Sequence, residues 1–239
     1  MITVILLCYK RFDNFERVIQ SWLDQDEVDE VIVCDNSGTF KTDLPVIVLN
    51  SNKNYGTYFR YVAPLLAKNK LIIWGDDDLV AKADLAGDLL GSWTDKSLVG
   101  IMGKKFTGAT YYDATGYRGE NLKEDTDVDY LCGLCILGHK KNFVGFDPMS
   151  IPTRFFSGKQ IFVMGDWWWE HWLKVCGKVE KMTVVATDKY ELLKEATDDT
   201  ALHKGDEFQE VREYYFRKWI TKLETRKIHE VDNKFSKKS

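Results

Sequence analysis

Three consecutive aspartates, Asp76, Asp77 and Asp78, come directly after the apolar run Leu71-Ile72-Ile73-Trp74 and a single glycine, Gly75. Two carboxylates about 4 Å apart repel by about 1 kcal/mol in water and by about 4 kcal/mol at an effective dielectric of 20. Such a cluster calls for a cation, and all-oxygen ligands suit the hard ions Mn2+ or Mg2+. The location carries equal weight, because open α/β sheets bind ligands beyond the carboxyl ends of their strands. One aspartate would be enough to cap a following helix; three exceed what a cap requires.

Positioning these groups requires strands, and four short apolar runs supply them at residues 2–7, 31–34, 46–49 and 71–74. Each is aliphatic or β-branched and flanked by polar residues, the pattern of strands buried on both faces. Between the first two, Phe15, Val18, Ile19, Trp22 and Leu23 recur at helical spacing and form one apolar stripe. Further helices are expected over about 58–68 and 82–93, so strands alternate with helices as in a parallel α/β sheet. Beyond them the pattern predicts a strand near 98–102, an irregular Gly- and Tyr-rich stretch over 103–119, and a strand near 128–137. A Trp-rich helix from Asp166, a strand near 181–186 and a long amphipathic helix over about 207–227 complete the chain.

The residues after the first strand exclude the common nucleotide-binding designs. Cys8-Tyr9-Lys10-Arg11 lacks the paired aspartates of a haloacid-type phosphatase, and no Gly-rich phosphate loop of the Walker or dinucleotide type comes after any strand. Cys132, Cys135 and His139 suggest zinc, but residues three apart on a strand face opposite ways and a structural zinc site takes four protein ligands.

The segments resemble the GT-A glycosyltransferases. The run 2–7 with Cys8-Tyr9-Lys10-Arg11 resembles that family's opening strand and turn, and Asp35-Asn36-Ser37 after 31–34 resembles its second strand end. Asn52-Lys53-Asn54-Tyr55-Gly56 resembles a third motif, and Gly75-Asp76-Asp77-Asp78 resembles the Asp-x-Asp metal motif. The general pattern is that of family 2; the turn, the triple Asp, Trp93 and Val99-Gly100 are also similar to the exostosin-like family 64. The first of these families inverts the anomeric centre and the second retains it. The resemblance spans roughly residues 1–175 and is strongest over the first hundred.

The resemblance implies a GT-A nucleotide-diphospho-sugar transferase fold, α/β with a mostly parallel central sheet flanked by helices. It also implies a site binding a nucleoside-diphosphate sugar, with a UDP-sugar as the expected donor, and transferring its sugar to a hydroxyl acceptor. Tyr9 and Arg11 would lie beside the nucleotide, Asp35 and Asn36 at the base or ribose, and Gly56 and Arg60 near the diphosphate. Asp78 is the first choice for direct metal coordination, with Asp76 facing the ribose or the metal and Asp77 beside them. His203 would complete the metal site, and Arg212 is a weaker candidate for the diphosphate. Asp166 would face the acceptor and, in an inverting enzyme, take its proton; apolar Trp neighbours would tune it for that task. The plain alternatives are a surface turn at Tyr9 and Arg11, an Asx-closed loop at residues 35–38 and an N-cap at Asp166, with Trp168 and Trp172 forming a buried stripe. At least one tryptophan is expected to line the acceptor site.

Bulk properties agree with a globular enzyme. The chain has 239 residues, of which 44% are hydrophobic, and its net charge of −4 does not match nucleic acid or an anionic membrane as partner. A nucleic-acid acceptor such as a modified base is not thereby excluded, because the segment from Lys222 to Ser239 is basic. An odd count of five cysteines, with no signal peptide, points to a reducing, cytoplasmic setting, and no apolar run reaches the length of a membrane span. Residues 1–205 are expected to form the catalytic domain, and 206–239 an amphipathic helix with a basic tail. Two other classes compete: a nucleotidyltransferase, which would need a Gly-rich basic loop after the first strand, and a non-catalytic saccharide-binding module, which would not need the aspartates.

Overall fold

The protein is described by a computed structural model covering residues 1–108, 110–148, 165–194, 212–214 and 216–217. The first run forms β1 (Ile2–Cys8), whose alternate side chains enter two separate cores. Ile2, Val4 and Leu6 pack with Phe15, Val18 and Trp22 of α1 (Phe15–Leu23), while Ile5 packs with Trp74 on the other face. Burial on both faces is what a continuous apolar strand predicts.

The chain continues through β2 (Val28–Asp35), β3 (Ile47–Asn50), α2 (Tyr58–Val62), β4 (Leu71–Asp76), β5 (Leu79–Ala81), α3 (Leu85–Ser92) and β6 (Ser97–Gly100). It then forms β7 (Met102–Phe106), β8 (Ala114–Arg118), β9 (Thr126–Asp127), β10 (Tyr130–Leu131) and β11 (Cys135–His139). After α4 (Gly165–Val175) come β12 (Lys181–Val184) and β13 (Tyr190–Leu192). The main sheet has eight strands in the order β3-β2-β1-β4-β11-β6-β12-β9. The pairs β3/β2, β2/β1, β1/β4 and β6/β12 are parallel, whereas β11 runs antiparallel to both its neighbours and β9 to β12. This is the mostly parallel α/β sheet expected.

Several local expectations are corrected. The helix expected to reach residue 68 stops at Val62 and tightens into a 3-10 turn at Ala63–Leu66, because Pro64 has no N–H to give a further α-helical bond. The stretch expected to be irregular contains the β7/β8 hairpin, which pairs with β10 in a small three-stranded sheet. The strand expected over 128–137 breaks in two: Cys132 N–H still bonds Met102 in the small sheet, but Leu134 C=O accepts from Asp76 in the large one. The chain changes sheets at Gly133. β3 is not buried on both faces, since it is an edge strand and Ile47 is exposed. The pairing of β5 with β13 had no sequence signal.

In α4 the fully buried stripe is Trp169 and Leu173, one position along from the expected Trp168 and Trp172, which are only half-buried. Trp169 stacks on Phe143 at 4.9 Å between ring centres and meets Trp74 edge-on at 4.7 Å. The helix is thereby clamped against β4.

Candidate active site

The order of the main sheet reverses at β1, whose sequence neighbour β2 lies on one side and β4 on the other. A crevice beyond the carboxyl ends of such a pair is where doubly wound sheets hold ligands. Leu7 is in register with Asp76. The turn from Cys8 to Arg11 and the run Asp76 to Asp78 therefore leave the sheet side by side. Lys10 takes the left-handed conformation, φ 63°, which costs a non-glycine residue about 1 kcal/mol or more, and the chain turns there just before Arg11.

Arg11 clamps Asp77 with two guanidinium nitrogens, one of them Nε at 3.1 Å, and reaches Asp78 Oδ2 at 3.4 Å. Arg60, buried to 4% side-chain exposure, pairs with Asp76. Asp76 ends β4 and Asp77 and Asp78 form the turn that follows it, and the three carboxylates are divided between two arginines. Among the described residues no three His, Cys, Asp or Glu side chains form a metal cage. A Mg2+ or Mn2+ ion completed by phosphate oxygens and water needs only one or two carboxylates. Asp76 and Asp78 are hard oxygen donors and fit that requirement.

The electrostatics of the cluster are under-compensated. Burial pushes the Asp76 carboxyl up to about 7; Arg60 opposes the rise, and Asp78, Asp77 and Asp166 add to it. Asp77 is pushed up to about 6, again by burial first, with Arg11 opposing and Asp78 adding. For Arg60 burial disfavours the charge, but Asp76 and then Asp166 outweigh it and hold the guanidinium above its ordinary value.

Across the crevice, α4 begins at Gly165 and presents Asp166. Its Oδ2 accepts from Tyr130 Oη and from Gly133 N, each at 3.2 Å. Among the described residues nothing donates to Oδ1. A Cβ at Gly133 would lie 2.5 Å from Asp166 Oδ2 and 2.7 Å from Arg60 Nη1, so only glycine lets these two side chains meet there. Gly165 is equally tight, with its absent Cβ 2.4 Å from Tyr61 Oη. Gly133 and Tyr130 are site residues that sequence reasoning missed. The usable signal was the glycine inside Cys132-Gly133-Leu134-Cys135, where the cysteines drew attention instead. All five cysteines are unpaired thiols, and Cys132 and Cys135 carry no metal cluster.

Asp35 and Asn36 lie at the end of β2, and their side chains are engaged within the protein. Asp35 is fully buried and accepts from Ser37 N at 2.7 Å, Ser37 Oγ at 2.6 Å and Phe40 N at 2.8 Å. Burial raises its pKa, but these bonds outweigh it and hold the carboxyl below the usual range. Asn36 ties two loops together through Gly56 O at 2.8 Å and Tyr55 N at 3.0 Å, with Gly56 at φ 56°. Both residues shape the crevice wall through these bonds. Tyr9 is 42% exposed beside it. Arg212 lies over the Tyr111 ring at 5.3 Å, in a cluster with Trp167 and Phe216. His203 falls outside the described residues.

No protein-family model matches the chain, and no curated protein matches it. Solved structures do. The chain is similar to a crystal structure of GalNAc-T7 with UDP, GalNAc and Mn2+, with a TM-score of 0.55 and 11% identity. The match covers 80% of this chain and 43% of that one, so the chain spans less than half the length of this neighbour. The fold is that of the GT-A glycosyltransferases. No helix among the described residues is long and apolar enough to cross a membrane.

Proposed function

We propose that the chain is a metal-dependent glycosyltransferase that moves a sugar from a nucleoside-diphosphate sugar, with UDP as the expected carrier, to a hydroxyl acceptor. The observation that supports this reading best is the meeting, at the β1/β4 switch point, of a paired acidic and basic cluster with a second carboxylate. Asp76 and Asp78 face the crevice with Arg11 and Arg60, and Asp166 stands across it.

Asp76 and Asp78 would hold a Mn2+ or Mg2+ ion, which as a Lewis acid supplies stabilisation for charge developing on a leaving diphosphate. Arg11 and Arg60 offset part of the cluster's charge and lie where a diphosphate's oxygens would give their guanidinium groups better partners. Asp166 holds its Oδ2 on Tyr130 and Gly133, which leaves Oδ1 to accept the acceptor's proton. Tyr9 would lie beside the nucleotide. Five unpaired thiols accord with a reducing, cytoplasmic setting.

The test is incubation with a panel of nucleotide sugars and Mn2+, measuring release of nucleoside diphosphate. Metal-dependent release from one donor supports the reading, and no release from any donor sinks it. Asp166→Asn should retain Mn2+-dependent UDP binding while transfer falls at least 100-fold, the lower end of what a positioned base contributes; equal loss of both would make Asp166 structural.

A further inference from the structure

The small sheet β10-β7-β8 bears a groove of about 500 Å3 lined by Lys104, Gly116, Arg118, Asn121 and Cys132 among others, and among the described residues none of its lining is acidic. In a protein of net charge −4, a cavity with two cations and no carboxylate among its described lining residues is a departure from the background. Residues opposite each other in an antiparallel pair share a face. Lys104 is opposite Gly116, and Met102 is opposite Arg118, so both cations stand on one face of the hairpin. A Cβ at Gly116 would meet nothing within 4 Å, which leaves open space beside the Lys104 stem.

Lys104 is half-buried, and its ammonium rests 4.1 Å from the Tyr111 ring centre. Among the described residues it has neither a carboxylate partner nor a hydrogen bond. Arg212 approaches the same ring, so two cations border one aromatic side chain. Arg118 has a loose partner in Glu120 at 3.7 Å. Burial holds the Lys104 ammonium below its ordinary range, with Cys132 opposing it and Arg212 adding a smaller lowering effect. An anion in the groove would reverse that destabilisation.

The sheet that bears the groove is tied to the crevice through Tyr130. Tyr130 is the cross-strand partner of Lys104 on the other side of β7, and its hydroxyl donates to Asp166. Tyr130 therefore links the strand that carries Lys104 to Asp166. We propose that the groove is an anion subsite in which Lys104 and Arg118 bind a phosphate or carboxylate group carried by the acceptor, whose hydroxyl is thereby directed to Asp166. Assignment of the anion to an acceptor rests on the transferase reading; the existence of the anion site does not.

The two are tested separately. Titration of the full-length protein with inorganic phosphate, monitored by amide shifts in 15N spectra, should move Gly103, Gly116 and Asn121. Lys104→Met, which keeps the stem, should weaken this binding at least fivefold, and Arg118→Gln carries the same test if the first variant does not fold. Unmoved amides, or unchanged affinity in the folded variants, would overturn the subsite. With a hexose phosphate, a hexuronate and a neutral hexose as acceptors, the wild type should prefer one of the anions. That preference in kcat/KM should fall at least tenfold in Lys104→Met, and the preferred anion distinguishes phosphate from carboxylate. Equal use of all three would overturn the acceptor assignment. Absence of donor turnover in the wild type would refute the transferase reading and, with it, the acceptor assignment, while the phosphate titration would still decide the anion site.

Discussion

At the scale of single residues, the site is a set of charges that compensate one another only in part. Asp78 is buried, pairs with Arg11 and gives its backbone carbonyl to Leu193 N–H at 2.9 Å. Asp78→Ala leaves that backbone bond and the Arg11–Asp77 clamp in place. It is expected to fold, and to lose at least tenfold in Mn2+-dependent UDP affinity by calorimetry, about 1.4 kcal/mol. Undiminished affinity would remove Asp78 from the metal site. Glu170, one helical turn after Asp166, is fully buried and accepts from Leu131 N at 3.0 Å, and burial raises its carboxyl well above the ordinary value. A raised acid keeps its proton in the folded state after the unfolded chain has lost it, so stability falls as pH rises above about 4.5. Glu170→Gln keeps an oxygen for Leu131 and removes the titration. Its melting temperature should match the wild type at pH 4.5 and exceed it at pH 8; a deficit at pH 8 would show that an ionised Glu170 stabilises the fold.

At the scale of elements, α4 and the loop after β10 align the two halves of the crevice. Trp169 fixes α4 against Trp74 of the strand that ends in Asp76, so one aromatic contact couples the acidic cluster to Asp166. Removing it should leave a cavity: Trp169→Ala is expected to destabilise by about 3–5 kcal/mol in urea unfolding, and a loss below 1 kcal/mol would mean that the helix is held elsewhere. Gly133→Ala is the finer test. The added methyl has no room between Asp166 and Arg60, and overpacking of this kind costs about 1–3 kcal/mol. Transfer should fall by more than stability does, because the two side chains that must part are those of the site. Wild-type turnover in Gly133→Ala would show that their proximity is incidental.

At the scale of the whole molecule, strand order decides where a ligand can bind. The reversal at β1 brings the Arg11 turn beside the aspartates and leaves Asp166 to approach from α4. Ligands that bind only the native state raise its stability by mass action, by about 2.7 kcal/mol at one hundred times the dissociation constant. UDP with Mn2+ should therefore raise the melting temperature by several degrees, at about 2–4 °C per kcal/mol for a chain of this size. Either component alone should do much less, because the ion and the diphosphate complete each other's coordination. Equal effects of UDP with and without Mn2+ would argue for an arginine-only diphosphate site.

What the sequence determined by itself was the periodic part. Short β-branched apolar runs at 2–7, 31–34 and 71–74 with polar flanks read as buried strands, the stripe from Phe15 to Trp22 as a helix, and three adjacent aspartates after a strand imply an edge where charge is wanted. Local interactions carry that information, because side-chain period and flanking turns are encoded within about ten residues. The tertiary structure alone decided which charges meet. Arg11 finds Asp77 across 66 positions, and Gly133 finds Asp166 across 33. It also divided the triple aspartate between two arginines and turned the expected strand over 128–137 into a passage between two sheets. Strand order and close packing produce these outcomes; both depend on the whole set of competing contacts and have no periodic signature in any one segment.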